Sequence, residues 1–309
     1  MSAAANSDDA LKNHLLAALP ADEFTRVQSK LESVSLKLGE VLYESGDNLD
    51  YAYFPTTAII SILYVAENGA TAKIGVIGND GLSGHALFLG GDSMPNRAII
   101  QSAGEAFRMK AKDVKAEFAL GGVFQQVLLR YTQVLITQIS QTAVCNRLHA
   151  VEQQLCRWLL VTHDRLDSDK LVMTHDLISN MLGARREDVT LAAQKLAKRK
   201  LIKNVRGTIT VIDRQGLEQH VCECYAVVNN EYNRLLGRGI SKTLLPICSY
   251  CKSIRDDQNS WQGVENYISE HTEAQFSHSI CPICYEKIVK PELEEMKRRR
   301  QKDRQKLCF

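Results

Sequence analysis

No apolar run in these 309 residues comes near the ~20 needed to span a bilayer as a helix. The opening segment, "MSAAANSDDALKNHLLAALP", lacks a basic start followed by an apolar core, so it does not read as a secretion signal. It reads as a short helix capped around Ser7–Asp8, with Leu11, Leu15, Leu16 and Leu19 on one side. An even cysteine count is missing too. The nine cysteines of an unexported chain speak against a disulfide framework and place the protein in a reducing cytoplasm. Signatures of catalysis are also wanting: there is no nucleophile with a matched histidine and acid, no glycine-rich phosphate loop and no paired-carboxylate site. An enzyme is not expected.

Net charge is nearly absent, +2 in all, but it is unevenly spread. Between residues 184 and 206 stand Arg185, Arg186, Lys195, Lys198, Arg199, Lys200, Lys203 and Arg206 against only Glu187 and Asp188. A second basic block, "KRRRQKDRQK", lies at 297–306 and reads as a frayed, charged helix end. Two basic blocks in a near-neutral chain suggest a polyanion partner, with solvated faces as the plain alternative. The hydrophobic (45%) and charged (24%) fractions are those of an ordinary soluble protein with room for two or three domains.

Residues 33 to about 112 read as strands. The runs "GEVLYES", "YAYFP", "AIISILYVAE", "TAKIGVIG", "NRAIIQSA" and "EAFRMKA" are separated by turn chemistry at Gly46-Asp47, Asn68-Gly69, Asn79-Asp80-Gly81, Gly90-Gly91-Asp92 and Gly104-Glu105. That spacing suggests an antiparallel sandwich or jelly roll. The stretch after Gly121-Gly122, "VFQQVLLRYTQVLITQISQTAVCNRL", has no Gly or Pro and reads as one long helix. Its stripe of Leu128, Leu135, Ile139 and Thr142, with Tyr131 and Val134 alongside, fits either a second copy of the helix or the chain's own sheet. A further amphipathic helix over "RLHAVEQQLCRWLLVTHDRL" is followed by a short helix around Thr174–Leu182, a turn at Gly183, a helix from about Arg185 to Lys200, and two short strands around Arg206-Gly207. This is the order of a winged helix-turn-helix.

The second helix of such a unit points its first turn into the major groove. Val189, Ala192, Leu196 and Leu201 can face inward, while Arg185, Arg186, Glu187 and Thr190 share the outward opening turn. Arginine can bind guanine bidentately and Glu can accept from cytosine. Lys195, Lys198, Lys203 and Arg206 suit phosphates, which position without specifying.

"THDLISNMLGARREDVTLAAQKLAKRKLI" resembles the helix-turn-helix of the Crp/Fnr family of bacterial transcription regulators, through Gly183, the Arg186-Glu187 pair and Val189. The resemblance extends over roughly residues 10–220. It implies a jelly-roll sensor, a long dimer helix, base-edge reading by Arg186 and Glu187, double-stranded DNA as partner, a homodimer, and RNA polymerase as a further partner. The chain departs from the pattern where a hydroxyl residue usually opens the reading helix, since Ala184-Arg185 stand there. Relatives that bind cyclic nucleotides use a Gly-Glu pair for the ribose and an Arg before a small residue for the phosphate. Arg97-Ala98 matches the phosphate half, but no carboxylate lies between Gly81 and Gly91, and Gly84 or His85 takes the Glu position. The missing charge-assisted hydrogen bond is worth roughly 1.5–3 kcal/mol, which makes a cyclic nucleotide doubtful. The N-terminal cysteine cluster with which other relatives hold iron–sulfur is absent, as the first cysteine is Cys145. No role is assigned to His14 or His85.

Near the C-terminus stand Cys248-x2-Cys251 and Cys281-x2-Cys284, with a spacer longer than the usual 15–20 residues and a helix expected over "WQGVENYISEH". Four thiolates in two such pairs suit one structural zinc, which would supply folding energy to a segment too short for a core of its own. His278 is a spare or supporting group; a redox dithiol and an iron–sulfur cluster are the alternatives. "LPICSYCKSIRDD" and "SHSICPIC" resemble a module at the C-termini of bacterial sensor kinases and response regulators. Cys145, Cys156, Cys222, Cys224 and Cys308 have no partners at convincing spacing.

The expected fold is therefore α+β: an N-terminal helix (1–28), a jelly roll of cyclic-nucleotide-binding type (29–120), a long dimerisation helix (121–146), a winged helix-turn-helix (147–220), a helical linker (221–240) and a zinc-ribbon-like module with a basic tail (241–309). The expected function is sequence-specific transcription regulation. The alternative is a redox-active or adaptor protein working through the C-terminal cysteine pairs.

Overall fold

A computed structural model describes residues 7–67, 69, 71–166, 168–205, 207–237, 247–248, 251–255, 260–271, 279–280 and 285–306. Asn68, Arg206, His278, Cys281, Cys284 and Cys308, singled out above, lie outside the described residues. The chain divides into two compact units, residues 1–239 and 240–309.

The first unit opens with three short helices instead of one, α1 (Ser7–Ala10), α2 (His14–Ala17) and α3 (Ala21–Gln28). The breaks have local causes. Asn13 caps α2 by accepting from the Leu15 and Leu16 amides, and Pro20 precedes α3.

Seven strands follow: β1 (Leu31–Leu36), β2 (Val41–Tyr43), β3 (Tyr51–Pro55), β4 (Ile59–Val65), β5 (Thr71–Ile77), β6 (Arg97–Ser102) and β7 (Gly104–Lys110), with helix α4 (Ala86–Leu89) between β5 and β6. They form two antiparallel sheets ordered β1-β7-β3 and β2-β6-β4-β5. Edge strand β1 was not among the runs read as strands; its sequence, "LESVSL", is half polar.

Strand β4 is buried along nearly its whole length, which a sheet wetted on one face would not permit. Ile60 and Ile62 enter the core shared with Phe54, Ile77, Ile100 and Phe107, whereas Leu63 joins a second core formed by residues 155–225. That region therefore covers the outer face of the second sheet.

Helix α5 (Ala111–Ala119) leads into the long α6 (Gly122–Leu148). Phe124, Leu128, Tyr131 and Leu135 of α6 sit in the jelly-roll core, with Ile139 partly buried against it. The stripe read from the sequence is thus used within the chain, and α6 leaves Leu129, Ile136, Val144 and Leu148 exposed instead.

The remainder of this unit is α7 (Val151–His163), β8 (Lys170–Val172), α8 (His175–Leu182), α9 (Arg186–Lys198), β9 (Ile202–Val205), β10 (Thr208–Val211), α10 (Arg214–His220) and α11 (Cys224–Leu235). The wing has three strands, ordered β8-β10-β9, one more than expected. Helix α11 is not a free linker: Cys224, Tyr225 and Val228 are buried, and the Gln133 side chain of α6 donates to Glu231 (3.0 Å).

In the second unit, β11 (Ile254–Arg255) pairs with β12 (Trp261–Gln262), followed by α12 (Val264–His271) and α13 (Lys290–Lys306). Trp261 and Gln262 are strand residues, not the start of the expected helix. No helix among the described residues is long and apolar enough to cross a membrane.

Candidate nucleic-acid interface

The reading head is built by three local devices. Thr174 caps α8 by accepting from the Leu177 amide (3.2 Å). Gly183 ends α8 in the left-handed region (φ 63°), the conformation a side chain resists, and lets α9 start three residues later. Val189, Ala192, Ala193 and Leu196 then bury one side of α9 in a core with Ile178, Leu201 and Ile209. Helical periodicity turns the other side outward.

On that outward side Arg185, Arg186 and Glu187 are exposed. Arg185 is the cap residue and offers no side-chain cap, so the first amides of α9 have none from it. Arg186 Nε lies 3.1 Å from Asp176 Oδ1, with both side chains more than half exposed. Such a pair is worth ~0–1 kcal/mol and holds Arg186 only lightly. Thr190 is half-buried: its hydroxyl donates to the Arg186 carbonyl (2.9 Å) and meets His175 Nδ1 (3.0 Å). Lys195 lies 3.6 Å from Glu152, which also pairs with Arg199. Lys203 is exposed on β9.

The jelly roll meets this region through polar contacts that sequence reading missed. The guanidinium of Arg165, almost fully buried at the end of α7, donates from Nε to Asp80 (2.9 Å) in the loop after β5. Gly78 makes room: a Cβ there would stand 2.7 Å from the Arg165 side chain. Burial alone would lower the Arg165 pKa, but Asp80 outweighs it and raises it. Lys73 Nζ sits 5.5 Å over the Trp158 ring, and Gln101 Nε2 donates to the Thr162 hydroxyl (3.4 Å).

In the jelly roll, Arg97 Nε donates to Glu44 (2.6 Å), and Ala98 is fully buried in β6. His85 is buried, its pKa is pushed down to about 4 by desolvation, and its Nδ1 has no hydrogen-bond partner among the described residues.

The cysteines divide in two. Cys248 and Cys251 occupy a tight turn in which the Cys248 amide donates to the Ser253 carbonyl (2.9 Å) and Lys252 takes a left-handed φ of 61°. Cys145, Cys222 and Cys224, read above as lacking partners, are brought together with His149. The ligands come from distant parts of the chain, so their spacing could not signal them; the visible hints were Cys145 four residues before His149, and the Cys222-x-Cys224 pair.

A jelly roll joined by a long helix to a winged helix-turn-helix is the architecture of a DNA-binding regulator. Residues 33–119 match the cyclic nucleotide-binding domain and residues 153–220 match the Crp-like helix-turn-helix domain. The chain is a member of the Crp/Fnr family of transcription regulators. Its fold is similar to FixK2 from Bradyrhizobium japonicum (TM-score 0.55, 15% identity, 62% of this chain and 98% of that one). It is also similar to TTHB099, a CRP-family transcriptional regulator from Thermus thermophilus (TM-score 0.52, 14% identity, 60% and 95%). No curated protein matches the chain.

Proposed function

We propose that the protein is a homodimer that reads a palindromic DNA site through α9 and is switched by a signal received in its jelly roll. The observation that carries this reading is the exposed, uncapped opening turn of α9, with Arg185, Arg186 and Glu187 presented on a packed helix. Arg185 and Arg186 supply bidentate donors for guanine and Glu187 an acceptor for cytosine. Thr190 contributes a contact only if its hydroxyl leaves its present partners. Lys195, Lys203 and Arg206 meet phosphates. Dimerisation would use the exposed stripe of Leu129, Ile136 and Val144 on α6. RNA polymerase is the proposed further partner on DNA.

Arg97 and Ala98 mark the effector side. A cyclic nucleotide would have to replace Glu44 on Arg97, and it finds no carboxylate for its ribose between Gly81 and Gly91, which argues against cyclic AMP. In the second unit, Cys248, Cys251, Cys281 and Cys284 are proposed to hold one structural zinc.

The test is selection of bound sequences from a random DNA pool by the full-length protein. The expected product is a palindrome whose half-sites lie about one helical turn, ~10 bp, apart. Recovery of no enriched sequence would refute the reading.

A further inference from the structure

We propose a zinc site of three cysteines and one histidine at the joint between the sensor helix and the DNA-binding region, formed by Cys145, His149, Cys222 and Cys224. It is separate from the C-terminal cysteine pairs and does not depend on how α9 reads DNA.

The four side chains come from three pieces of chain. Cys145 lies in the last turn of α6, His149 is the residue after that helix, and Cys222 and Cys224 bracket the start of α11. One ligand atom from each falls within 4.8 Å of all the others. Cys145 Sγ and Cys222 Sγ are 3.6 Å apart, and so are Cys224 Sγ and His149 Nδ1. A tetrahedral zinc with bonds of ~2.3 Å to sulfur and ~2.0 Å to nitrogen requires edges of about 3.8 Å between sulfurs and about 3.5 Å between sulfur and nitrogen. These two separations lie close to the edges required, and the other ligand atoms stay within 4.8 Å of one another. A four-iron cluster sets a metal–sulfide cube between its thiolates and holds them further apart.

The surroundings suit a closed metal site. All three cysteines are buried. The other ring nitrogen of His149, Nε2, lies 3.2 Å from Glu223 Oε1. A carboxylate behind a ligating imidazole fixes its tautomer and strengthens it as a ligand. Cys224 opens a twelve-residue helix, where the amide dipoles favour a thiolate. On binding, the three thiols release their protons to solvent, and zinc with three thiolates and a neutral imidazole carries one negative charge. The Arg157 guanidinium, which donates to Thr142 (2.9 Å), adds a favourable positive charge beside Cys145.

The ion would bolt α6, the turn into α7 and the base of α11 together, so its presence would set how rigidly the reading head is carried on the sensor helix. The Gln154 side chain already donates to the Cys145 and His149 carbonyls (3.3 and 2.9 Å).

The experiment uses the full chain carrying Cys248→Ser, Cys251→Ser, Cys281→Ser and Cys284→Ser, so that any retained metal belongs to the joint. Elemental analysis of the purified protein should find one zinc per chain, and adding Cys222→Ser should remove it. Should the four-serine protein fail to fold, the intact chain serves: Cys222→Ser should lower its zinc by one per chain. Glu223→Gln, at an exposed position, should weaken zinc in competition with a chelator by about 10- to 100-fold, while His149→Cys should retain the metal. Zinc unaffected by Cys222→Ser, iron with labile sulfide, or a Cys145–Cys222 disulfide in metal-free protein would each overturn the proposal.

Discussion

His85 is buried without a partner for Nδ1 among the described residues, and its pKa falls from the ordinary 6.5 to about 4. The unfolded chain therefore takes up this proton as pH drops below about 6.5, while the folded chain refuses it until about 4. Stability should fall across that window by about 1.4 kcal/mol per pH unit. His85→Gln, which cannot titrate, should show a shallower loss of thermal stability between pH 6.5 and 4. Identical slopes for the two proteins would contradict the burial argument. At this scale the sequence was partly legible. Arg185, Arg186 and Glu187 lie where a first turn must put them, and the buried Val189 and Leu196 follow from periodicity. Thr190, expected on the outward opening turn, is half-buried with its hydroxyl against His175, a partner that nothing local announces. The Cys145 and Cys222 sulfurs meet across 77 residues of chain, which no spacing rule anticipates.

Elements were legible where one period dominated and obscure where two surfaces competed. The long helix and the reading helix follow from uninterrupted apolar spacing. Strand β4, apolar on both faces, hides in its sequence the fact that the DNA-binding region covers the second sheet. That packing rests partly on Arg165 and Asp80. Asp80→Asn should leave the buried guanidinium without its counter-charge and cost about 3–5 kcal/mol in denaturant unfolding; a loss below about 1 kcal/mol would mean that solvent already screens the pair. The face of α6 available to a second copy is likewise decided by packing. Leu128 and Leu135 are taken by the sensor core, which leaves Leu129, Ile136 and Val144. Ile136→Glu should move the protein from dimer toward monomer in sedimentation, and an unchanged dimer would place the interface elsewhere.

For the whole molecule, the near-zero net charge conceals the division of labour. The basic stretch 184–206 is carried by the reading helix and its wing, and the second basic block by the terminal helix α13. The order of jelly roll, long helix and winged helix-turn-helix was visible from apolar periodicity and turn chemistry. The joint between sensor and reading head was not, because its groups are polar residues scattered through the chain. The account turns on the tip of α9. The most direct measurement is binding of Arg186→Ala to the selected palindrome at fixed salt, with Lys203→Ala beside it. Arg186→Ala should weaken the selected site by about 10-fold or more, about 1–3 kcal/mol, and relax one base position. Lys203→Ala should weaken all sequences alike and reduce the salt slope by about 1. Unchanged affinity and unchanged base preference in folded Arg186→Ala protein would contradict the account.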